Sequence, residues 1–415
     1  EHVVMDSTAF DGNRAISSYV GTSQAYPYIK SYVTATEITV LGTEIQSSAF
    51  EQSKFTKVTI SSTITSIGNG AFSNCKLQTV VFEEGTQLTT IGGGAFFCCY
   101  SLGNFEIPST VTTIGANAFN YCSLTSINIP VGVTSIYSNA FINCSYLKSV
   151  YITDLGAWCN IAFETGASNP LVGGGTLYLN GEALTDIVVP AEVTELAPFA
   201  FTGSKIKSVT ISDGVTKIGK SAFYGCTSLT SVHIPSSVAA IDKYAFANCT
   251  AITAVYITDV NAWSNIQFGV GRSNPLSYGA TLYVNGEALT DLVVAEGATE
   301  IKPYVFRGST IQSVTIPSSV TVIGEGAFDK CSNLTSVVFA TGSRLTTIGD
   351  EAFSSTAIIN LVIPATVTTI GNSAFGGAES APNTTLTSVT FEEGSRLTVM
   401  GQKMFYNCTA LTSVV

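Results

Sequence analysis

The sequence predicts a β-rich solenoid, in which short coils of one repeated pattern stack on each other. The first observation is an alanine-phenylalanine pair that returns at intervals of 22 to 24 residues early in the chain. The second is a longer phrase around each pair, as in residues 229–246 and 311–328. The third is that apolar residues recur two or three positions apart, which fits no helix pair. Such a fixed period is typical of a solenoid, because each unit buries its apolar face only against its neighbours.

One coil, residues 206–228, shows how the elements follow from the residues. Val209 and Ile211 alternate with polar residues, and β-branched side chains in that pattern favour a short strand. A turn follows, and in several coils it holds a proline, which suits the end of a strand because proline has no ladder donor. Val215 and Ile218 then return to the core, and the alanine-phenylalanine pair closes the coil on its far side.

A glycine follows the last of these core residues in many coils. It has two physical explanations, a backbone with positive φ or a close approach between stacked coils, and the sequence leaves both open. The glycines are Gly68, Gly92, Gly115, Gly219, Gly324, Gly349 and Gly371.

The phrase L-x-x-V-x-I-P-x-x-V-x-x-I-G-x-x-A-F-x-x-C resembles the BspA-type leucine-rich repeat, also called the Treponema-type repeat. The resemblance covers residues 37–415. It implies a leucine-rich-repeat solenoid, a curved stack of short parallel strands. We expect about fifteen coils, with residues 1–36 as an N-terminal capping segment. Members of this family are typically bacterial or protist surface proteins, and several of them adhere to host proteins.

Eight of the ten cysteines lie three residues after a repeat phenylalanine, so they represent one position of the coil. Coils without a cysteine carry serine, threonine or alanine there, which indicates that a small side chain is required. We expect a ladder of buried thiols, because free cysteine behaves as a small hydrophobic residue. Disulfides and a metal site are the disfavoured alternatives. The eight ladder cysteines are Cys75, Cys99, Cys122, Cys144, Cys226, Cys249, Cys331 and Cys408.

The repeat is interrupted twice in the same way, by a first module at about residues 153–183 and a second module at about residues 258–288. The two share their sequence pattern at an offset of 105 residues. An Asn-Gly pair between alternating runs predicts a β-hairpin in each, at Asn180 and at Asn285. We expect each hairpin to add an antiparallel strand locally and to lead back into the solenoid.

Each module also predicts a short helix. Asp154 and Asp259 are placed to cap helices that carry Trp158 and Trp263. On the structural interpretation, the tryptophan covers apolar surface of a decorated coil. On the functional interpretation, two protruding modules make paired contacts with a ligand.

Composition and residue counts exclude several classes of protein. The net charge of −11, with 18 lysines and arginines and no basic cluster, argues against nucleic-acid binding. No apolar run reaches the length of a membrane span, and the first residues lack the features of a signal peptide. The two histidines, His2 and His233, are too few for a histidine-based metal site, and a Ser-His-Asp or Cys-His site could use only these two. We therefore expect no catalysis, metal or cofactor.

The outward residues around the central valine of each strand predict a sheet surface. Most are small, and the larger or charged exceptions are the candidate partner-binding residues. Tyrosine is enriched in the energetically important contacts of interfaces. The alternative is that Tyr151 and Tyr256 pack against the modules that begin just after them. The candidates are Glu106, Asn128, Tyr151, Asp186, His233 and Tyr256.

These observations predict an extracellular or cell-surface binding or adhesion protein without catalysis, whose partner is a protein or a glycan. Host extracellular-matrix proteins or other surface proteins are the expected partners. One alternative is a structural spacer that displays another domain, since the sequence ends in mid-repeat and we expect further protein beyond Val415. An enzyme acting on surface glycans would need two carboxylates facing one cleft, and nothing in the sequence places a pair there.

Overall fold

The computed structural model describes residues 19–30, 33–378 and 382–415. The chain divides into two compact units, and each is described by itself. The first unit comprises Glu1–Thr185 and Ala197–Lys205, and the second comprises Asp186–Leu196 and Ile206–Val415. Of the capping segment predicted at residues 1–36, positions 1–18 (with His2) and 31–32 lie outside the described residues.

The described strands of the first unit form three sheets. A four-stranded sheet has the order β1-β2-β4-β6, a six-stranded sheet β12-β10-β8-β7-β5-β3, and a second four-stranded sheet β14-β13-β11-β9. The strands are β1 (Tyr19–Thr22), β2 (Glu37–Leu41), β3 (Glu44–Ile45), β4 (Lys57–Ile60), β5 (Ser66–Ile67), β6 (Thr79–Phe82), β7 (Thr90–Ile91), β8 (Thr113–Ile114), β9 (Ser126–Asn128), β10 (Ser135–Ile136), β11 (Ser149–Ile152), β12 (Ala162–Phe163), β13 (Thr176–Leu179) and β14 (Glu182–Ala183).

The second unit continues the same pattern in five sheets within its described residues. Their orders are β15-β17-β19-β21-β23-β24, β16-β18-β20-β22, β25-β27-β29, β26-β28-β30-β32-β34 and β31-β33-β35. The strands are β15 (Asp186–Val188), β16 (Glu195–Leu196), β17 (Ser208–Thr210), β18 (Lys217–Ile218), β19 (Ser231–His233), β20 (Ala240–Ile241), β21 (Ala254–Ile257), β22 (Gln267–Phe268), β23 (Thr281–Val284), β24 (Glu287–Ala288), β25 (Asp291–Val293), β26 (Glu300–Ile301), β27 (Ser313–Ile316), β28 (Val322–Ile323), β29 (Ser336–Phe339), β30 (Thr347–Ile348), β31 (Asn360–Ile363), β32 (Thr369–Ile370), β33 (Ser388–Phe391), β34 (Val399–Met400) and β35 (Ser413–Val414).

Helices are few and short. The α-helices are α1 (Tyr26–Ile29), α2 (Leu155–Cys159) and α3 (Val260–Ser264), and each module adds two 3₁₀ helices. Over the described ranges, no helix has the length and apolar character needed to cross a membrane. The 3₁₀ helices are Gly166–Ser168, Pro170–Gly173, Gly271–Ser273 and Pro275–Tyr278.

The core of each unit is built from in-register stacks of identical side chains. In the first unit the repeat phenylalanines from Phe50 to Phe141 stack with interplanar angles of 7° to 10° and centroid distances of 5.2 to 5.5 Å. Parallel strands that pair in register bring equivalent residues of successive coils side by side, so one repeated residue becomes one continuous stack. Burying each such ring contributes about 1.5–3 kcal/mol to the free energy of unfolding.

The glycines that follow the core isoleucine are required for close stacking. A Cβ atom on Gly92 would lie 2.6 Å from the Ile67 carbonyl oxygen of the preceding coil, and one on Gly115 would lie 2.4 Å from the Gly93 nitrogen. Neither of these two glycines has positive φ. The repeated glycine is therefore explained by the close approach of stacked coils, and not by a backbone with positive φ.

The buried thiol ladder predicted from the sequence is confirmed. All ten cysteines are thiols, and Cys408 is the one that is more than slightly exposed. Seven ladder cysteines each donate an Sγ–H hydrogen bond of 2.9–3.3 Å to the carbonyl oxygen of the repeat phenylalanine one coil earlier. The cysteines at this position therefore also donate hydrogen bonds between coils, a feature the spacing did not reveal.

Each module is a complete coil of the stack. In the first module β13 returns from α2 and β12 to pair in parallel register with β11. The hairpin predicted at Asn180 is confirmed, since β14 pairs antiparallel with β13, but the first arm of the hairpin is an ordinary solenoid strand. The second module is built the same way from β21, β23 and β24. The described residues form about 17 turns, close to the predicted number of about fifteen coils.

Candidate interaction surface

One outward row in the first unit gathers three of the predicted candidates. Glu106 bridges to Asn128, Asn128 pairs with Tyr151, and Tyr151 pairs with Tyr178. The rings of Tyr151 and Tyr178 stack with centroids 4.8 Å apart. Tyr151 is 37% exposed, so this short stack lies on the surface. We name these four residues the first row.

The equivalent row in the second unit holds three rings in succession. Thr210, His233, Tyr256 and Tyr283 pair in consecutive register on β17, β19, β21 and β23. The His233 and Tyr256 rings stack at 4.4 Å with an angle of 14°, and the Tyr256 and Tyr283 rings stack at 4.9 Å. His233 is exposed and both tyrosines are half-buried. We name these four residues the second row.

The stacking follows from the strand geometry. Residues directly opposite on parallel strands share a face, and the strand separation of about 4.8 Å is close to the thickness at which aromatic rings pack. Each ring limits the rotamers of the next, so the rows are ordered before any ligand arrives. Preorganised side chains lose little conformational entropy on binding, which favours affinity.

Asp186 is the predicted candidate that stands apart from the row. It begins β15 and pairs in register with Ser208, whose hydroxyl donates a 2.5 Å hydrogen bond to its carboxylate. The row residue on the same strand is Val188, which pairs with Thr210. Asp186 therefore shares the sheet face of the second row but lies two strands from His233.

The sequence reasoning missed Tyr178 and Tyr283, because the modules were treated as insertions between coils. The phrases Leu177-Tyr178-Leu179 and Leu282-Tyr283-Val284 match the strand pattern of other coils and could have identified both residues. The expectation that Tyr151 and Tyr256 pack against their modules is confirmed, since each stacks on a module tyrosine. The same stacked rings therefore pack against the modules and form part of the outward rows.

The module tryptophans are structural anchors. Trp158 and Trp263 are each 1% exposed, and their indole N–H groups donate 3.0 Å hydrogen bonds to the carbonyls of Ala200 and Val305. Asp154 caps α2 through the Ala157 amide as predicted, and Asp259 caps α3 through Asn261 and Ala262. Burial this deep removes the indoles from any surface contact, so the structural interpretation of the tryptophans holds.

Two buried asparagines complete the anchoring, and the sequence analysis did not single them out. Asn169 donates to the carbonyls of Phe199 and Ala200, both at 2.8 Å, and its own carbonyl oxygen accepts from the Leu171 amide. Asn274 makes the matching three bonds in the second module. A buried amide is stable only when its donors and acceptors are paired, and here they are.

A groove of about 380 Å³ runs beside the second row, across the turns at the carboxyl ends of its strands. Its ring wall is formed by His233 and Tyr256, and Asp213, Thr258 and Asn285 add polar groups. We call it the His233 groove. The remaining lining residues are Ile211, Ile234, Pro235, Ile257 and Gly286.

The first unit has a wider hollow of about 590 Å³ near its own row. It reaches Asn128 and Thr153, but its other polar lining includes the three carboxylates of Glu83, Glu84 and Glu106. The two units therefore share a backbone plan while differing in the charge of the surface beside the row.

Three of the ladder thiols are poorly suited to nucleophilic chemistry. Burial raises the pKa of the Cys75 and Cys331 thiols to about 12, and that of Cys144 to about 11. The nucleophile in cysteine chemistry is the thiolate, whose population near neutral pH becomes negligible at such values. Among the described residues, no group of three or more His, Cys, Asp or Glu side chains is arranged to hold a metal ion.

Comparisons with known proteins agree with this architecture. The sequence profile of the BspA type leucine rich repeat region matches in 6 copies, over residues 24–165, 176–269 and 279–382. No curated protein matches the chain.

Several solved structures are similar to parts or most of the chain. A leucine-rich repeat protein from Bacteroides ovatus is 22% identical, with 90% of this chain and 82% of that chain covered and a TM-score of 0.43. A leucine rich cell surface protein from Faecalibacterium prausnitzii is 23% identical, with coverages of 74% and 88% and a TM-score of 0.34. The pneumococcal vaccine antigen PcpA is 15% identical, with coverages of 98% and 79% and a TM-score of 0.32.

Proposed function

We propose, from the premise that this chain belongs to the BspA-type leucine-rich repeat family, that it is a non-catalytic binding protein acting at a cell surface or after secretion. Its partners are proteins or glycans, with host extracellular-matrix and other surface proteins foremost. Leucine-rich repeat solenoids of this family generally serve interaction or surface roles. The binding surfaces are the outward sheet faces of the two units, each of which carries one row.

The observation that carries this proposal is the pair of ordered, surface-exposed ring stacks. Most of the outward sheet face holds threonine, serine and valine, whereas Tyr151, Tyr178, His233, Tyr256 and Tyr283 concentrate aromatic area in two short stretches. Tyrosine supplies large contact area with only two rotatable angles, which is why it dominates binding surfaces.

The test is a binding screen of the intact chain against immobilised extracellular-matrix proteins. The double variant Tyr151→Ala, Tyr256→Ala should lose about tenfold or more in affinity for any protein that binds, since hot-spot tyrosines contribute more than about 1.4 kcal/mol each. The matched control is Tyr146→Ala, Tyr224→Ala, which removes one exposed tyrosine from each unit outside the rows.

Normal folding and unchanged binding by the double variant would reject the row face as the binding surface. Silence across a broad panel of matrix proteins would count against adhesion and would favour the spacer alternative.

A further inference from the structure

We infer that the His233 groove of the second unit is a binding site for an uncharged carbohydrate, of the size of one or two sugar rings. This inference rests on the proposed function and specifies a ligand class for one of the two rows. Four features carry it: an uncovered ring face, the polar groups around it, the lack of cationic lining residues and the size of the groove.

The ring face belongs to His233. On the β21 side its imidazole is covered by Tyr256 at 4.4 Å, but on the β17 side its partner in register is Thr210, which has no ring. His233 is exposed, and the small side chain of Thr210 provides no ring to stack on that side of the imidazole. Ile211 and Asp213, which follow Thr210 in the chain, line the groove on that side. A flat ring above an open space suits the C–H face of a sugar.

The polar groups match hydroxyl groups in both directions. The Asp213 carboxylate accepts hydrogen bonds, the Thr258 hydroxyl donates and accepts, and the Asn285 amide offers two donors and one carbonyl acceptor. Sugar hydroxyls likewise both donate and accept. Asn285 and Gly286 form the hairpin turn of the second module, so the fold itself positions this part of the rim.

The charge of the lining argues against other ligand classes. The residues that line the groove include no lysine or arginine, so an anionic ligand such as a phosphate or a sulfated glycan would find no cation. Asp213 is the single carboxylate there, too few oxygens for a divalent cation. The volume of about 380 Å³ falls at the small end of the range for small-molecule sites, which lie in clefts with a few placed polar groups.

The first unit provides a natural comparison, because a shift of 105 residues aligns Asn128, Tyr151 and Tyr178 with His233, Tyr256 and Tyr283. Glu106 takes the place of Thr210, because each pairs in register with the next residue of its row. Asn128 stands at the position of His233, and Ser109, three residues after Glu106, stands at the position of Asp213, three residues after Thr210. Neither the ring face nor the carboxylate is present there. We therefore assign the carbohydrate site to the second unit alone.

The experiment uses the full chain and a panel of soluble neutral oligosaccharides: maltotetraose, cellotetraose, mannotetraose, xylotetraose and chitotetraose. Titration is followed by isothermal calorimetry and by the histidine ring resonances, of which the chain has only two pairs, from His2 and His233. At least one saccharide should shift the His233 signals while leaving those of His2 in place. His233→Asn, which copies the first unit, and Asp213→Asn should each weaken that binding about tenfold or more. The control Tyr146→Ala, at an exposed residue outside both rows and outside the groove, should leave it unchanged.

Three results would overturn the site. They are the absence of binding by every saccharide, saccharide binding that both groove variants retain, and a His233 shift produced by a basic peptide or sulfated saccharide but by no neutral one. The screen against matrix proteins tests the proposed function independently of the saccharide titrations. Row-dependent protein binding with no saccharide binding would remove the carbohydrate inference and leave the proposed function intact. Saccharide binding without protein binding would support the carbohydrate site and count against adhesion to proteins.

Discussion

The first and second modules reach the same fold with different exposed chemistry. In both, a tryptophan indole and a buried asparagine tie a short helix and a 3₁₀ turn to the carbonyls of a later coil, with bonds that agree to within 0.1 Å. The exposed residues around those anchors have diverged. The comparison teaches that buried positions fix the coil geometry, whereas outward positions are free to vary and so can set binding preference.

The two rows and the surfaces beside them also differ in chemistry. The second row has the ring of His233 where the first has the amide of Asn128, and the neighbouring surface changes from three glutamates to one aspartate. Inside the modules, the position of Cys159 in α2 is occupied by Ser264 in α3. This helix position therefore accepts either a thiol or a hydroxyl. Variants placed at matched positions can therefore separate what the two regions share from what each one does.

The largest effect should be common to both regions and should appear at alkaline pH. The ordinary cysteine pKa of 9.0 is raised by burial to about 12 for Cys75 and for Cys331, one in each unit. Above pH 9 the unfolded chain releases thiol protons that the folded chain retains, so stability falls as pH rises. The loss should reach about 1.4 kcal/mol per pH unit for each such thiol. Urea unfolding midpoints at pH 8, 9, 10 and 11 measure it.

A variant with serine at the eight ladder positions is the control, because serine already occupies this position at Ser53, Ser204 and Ser309 and does not titrate. The pH dependence that survives in this variant belongs to groups other than the ladder thiols. An identical loss of stability in both proteins would show that the thiols do not couple to folding.

The next effect should be equal in the two modules. Trp158→Ala and Trp263→Ala each remove a fully buried indole and a hydrogen bond, and each should cost about 3–5 kcal/mol. Trp→Phe at either position keeps most of the buried ring and should cost about 1 kcal/mol from the lost N–H donor. Denaturant unfolding measures the loss of stability, and hydrogen exchange locates it along the chain. The loss should be local, because each coil of a solenoid is stabilised by its neighbours. Costs that differ by more than about 2 kcal/mol would contradict equivalent anchoring.

The smallest effect should distinguish the modules. Gly269 of the second module corresponds to Glu164 of the first, and a Cβ on Gly269 would lie 2.5 Å from the Lys243 nitrogen. Gly269→Ala should therefore cost about 1–3 kcal/mol by overpacking. Glu164→Ala removes only an exposed 2.8 Å bond to the Ser138 amide and should cost well under about 1 kcal/mol. Equal melting temperatures for both variants would show that the coils can separate locally to admit the methyl group.

Much of the fold was determined by the sequence alone. The repeat phenylalanines, the strand alternation at residues such as Val209 and Ile211, and the hairpin turns at Asn180 and Asn285 are local or periodic signals, and all predicted the observed elements. The six candidate residues were identified from the outward strand positions, and five of them lie in the two rows. Periodicity is sufficient for this because each coil repeats the environment of the last.

The tertiary structure decided what depends on pairing between distant residues. That the modules are coils follows from the register of β13 on β11 and β23 on β21, which alone brings Tyr178 and Tyr283 into the rows. The role of Asn169 and Asn274 depends on carbonyls about thirty residues away along the chain. The reason for the repeated glycine also came from the structure, because only the distance between stacked coils shows that a Cβ atom would not fit there. A repeat in sequence specifies what each coil contains, whereas contacts between coils exist only after stacking and so decide which exposed groups meet.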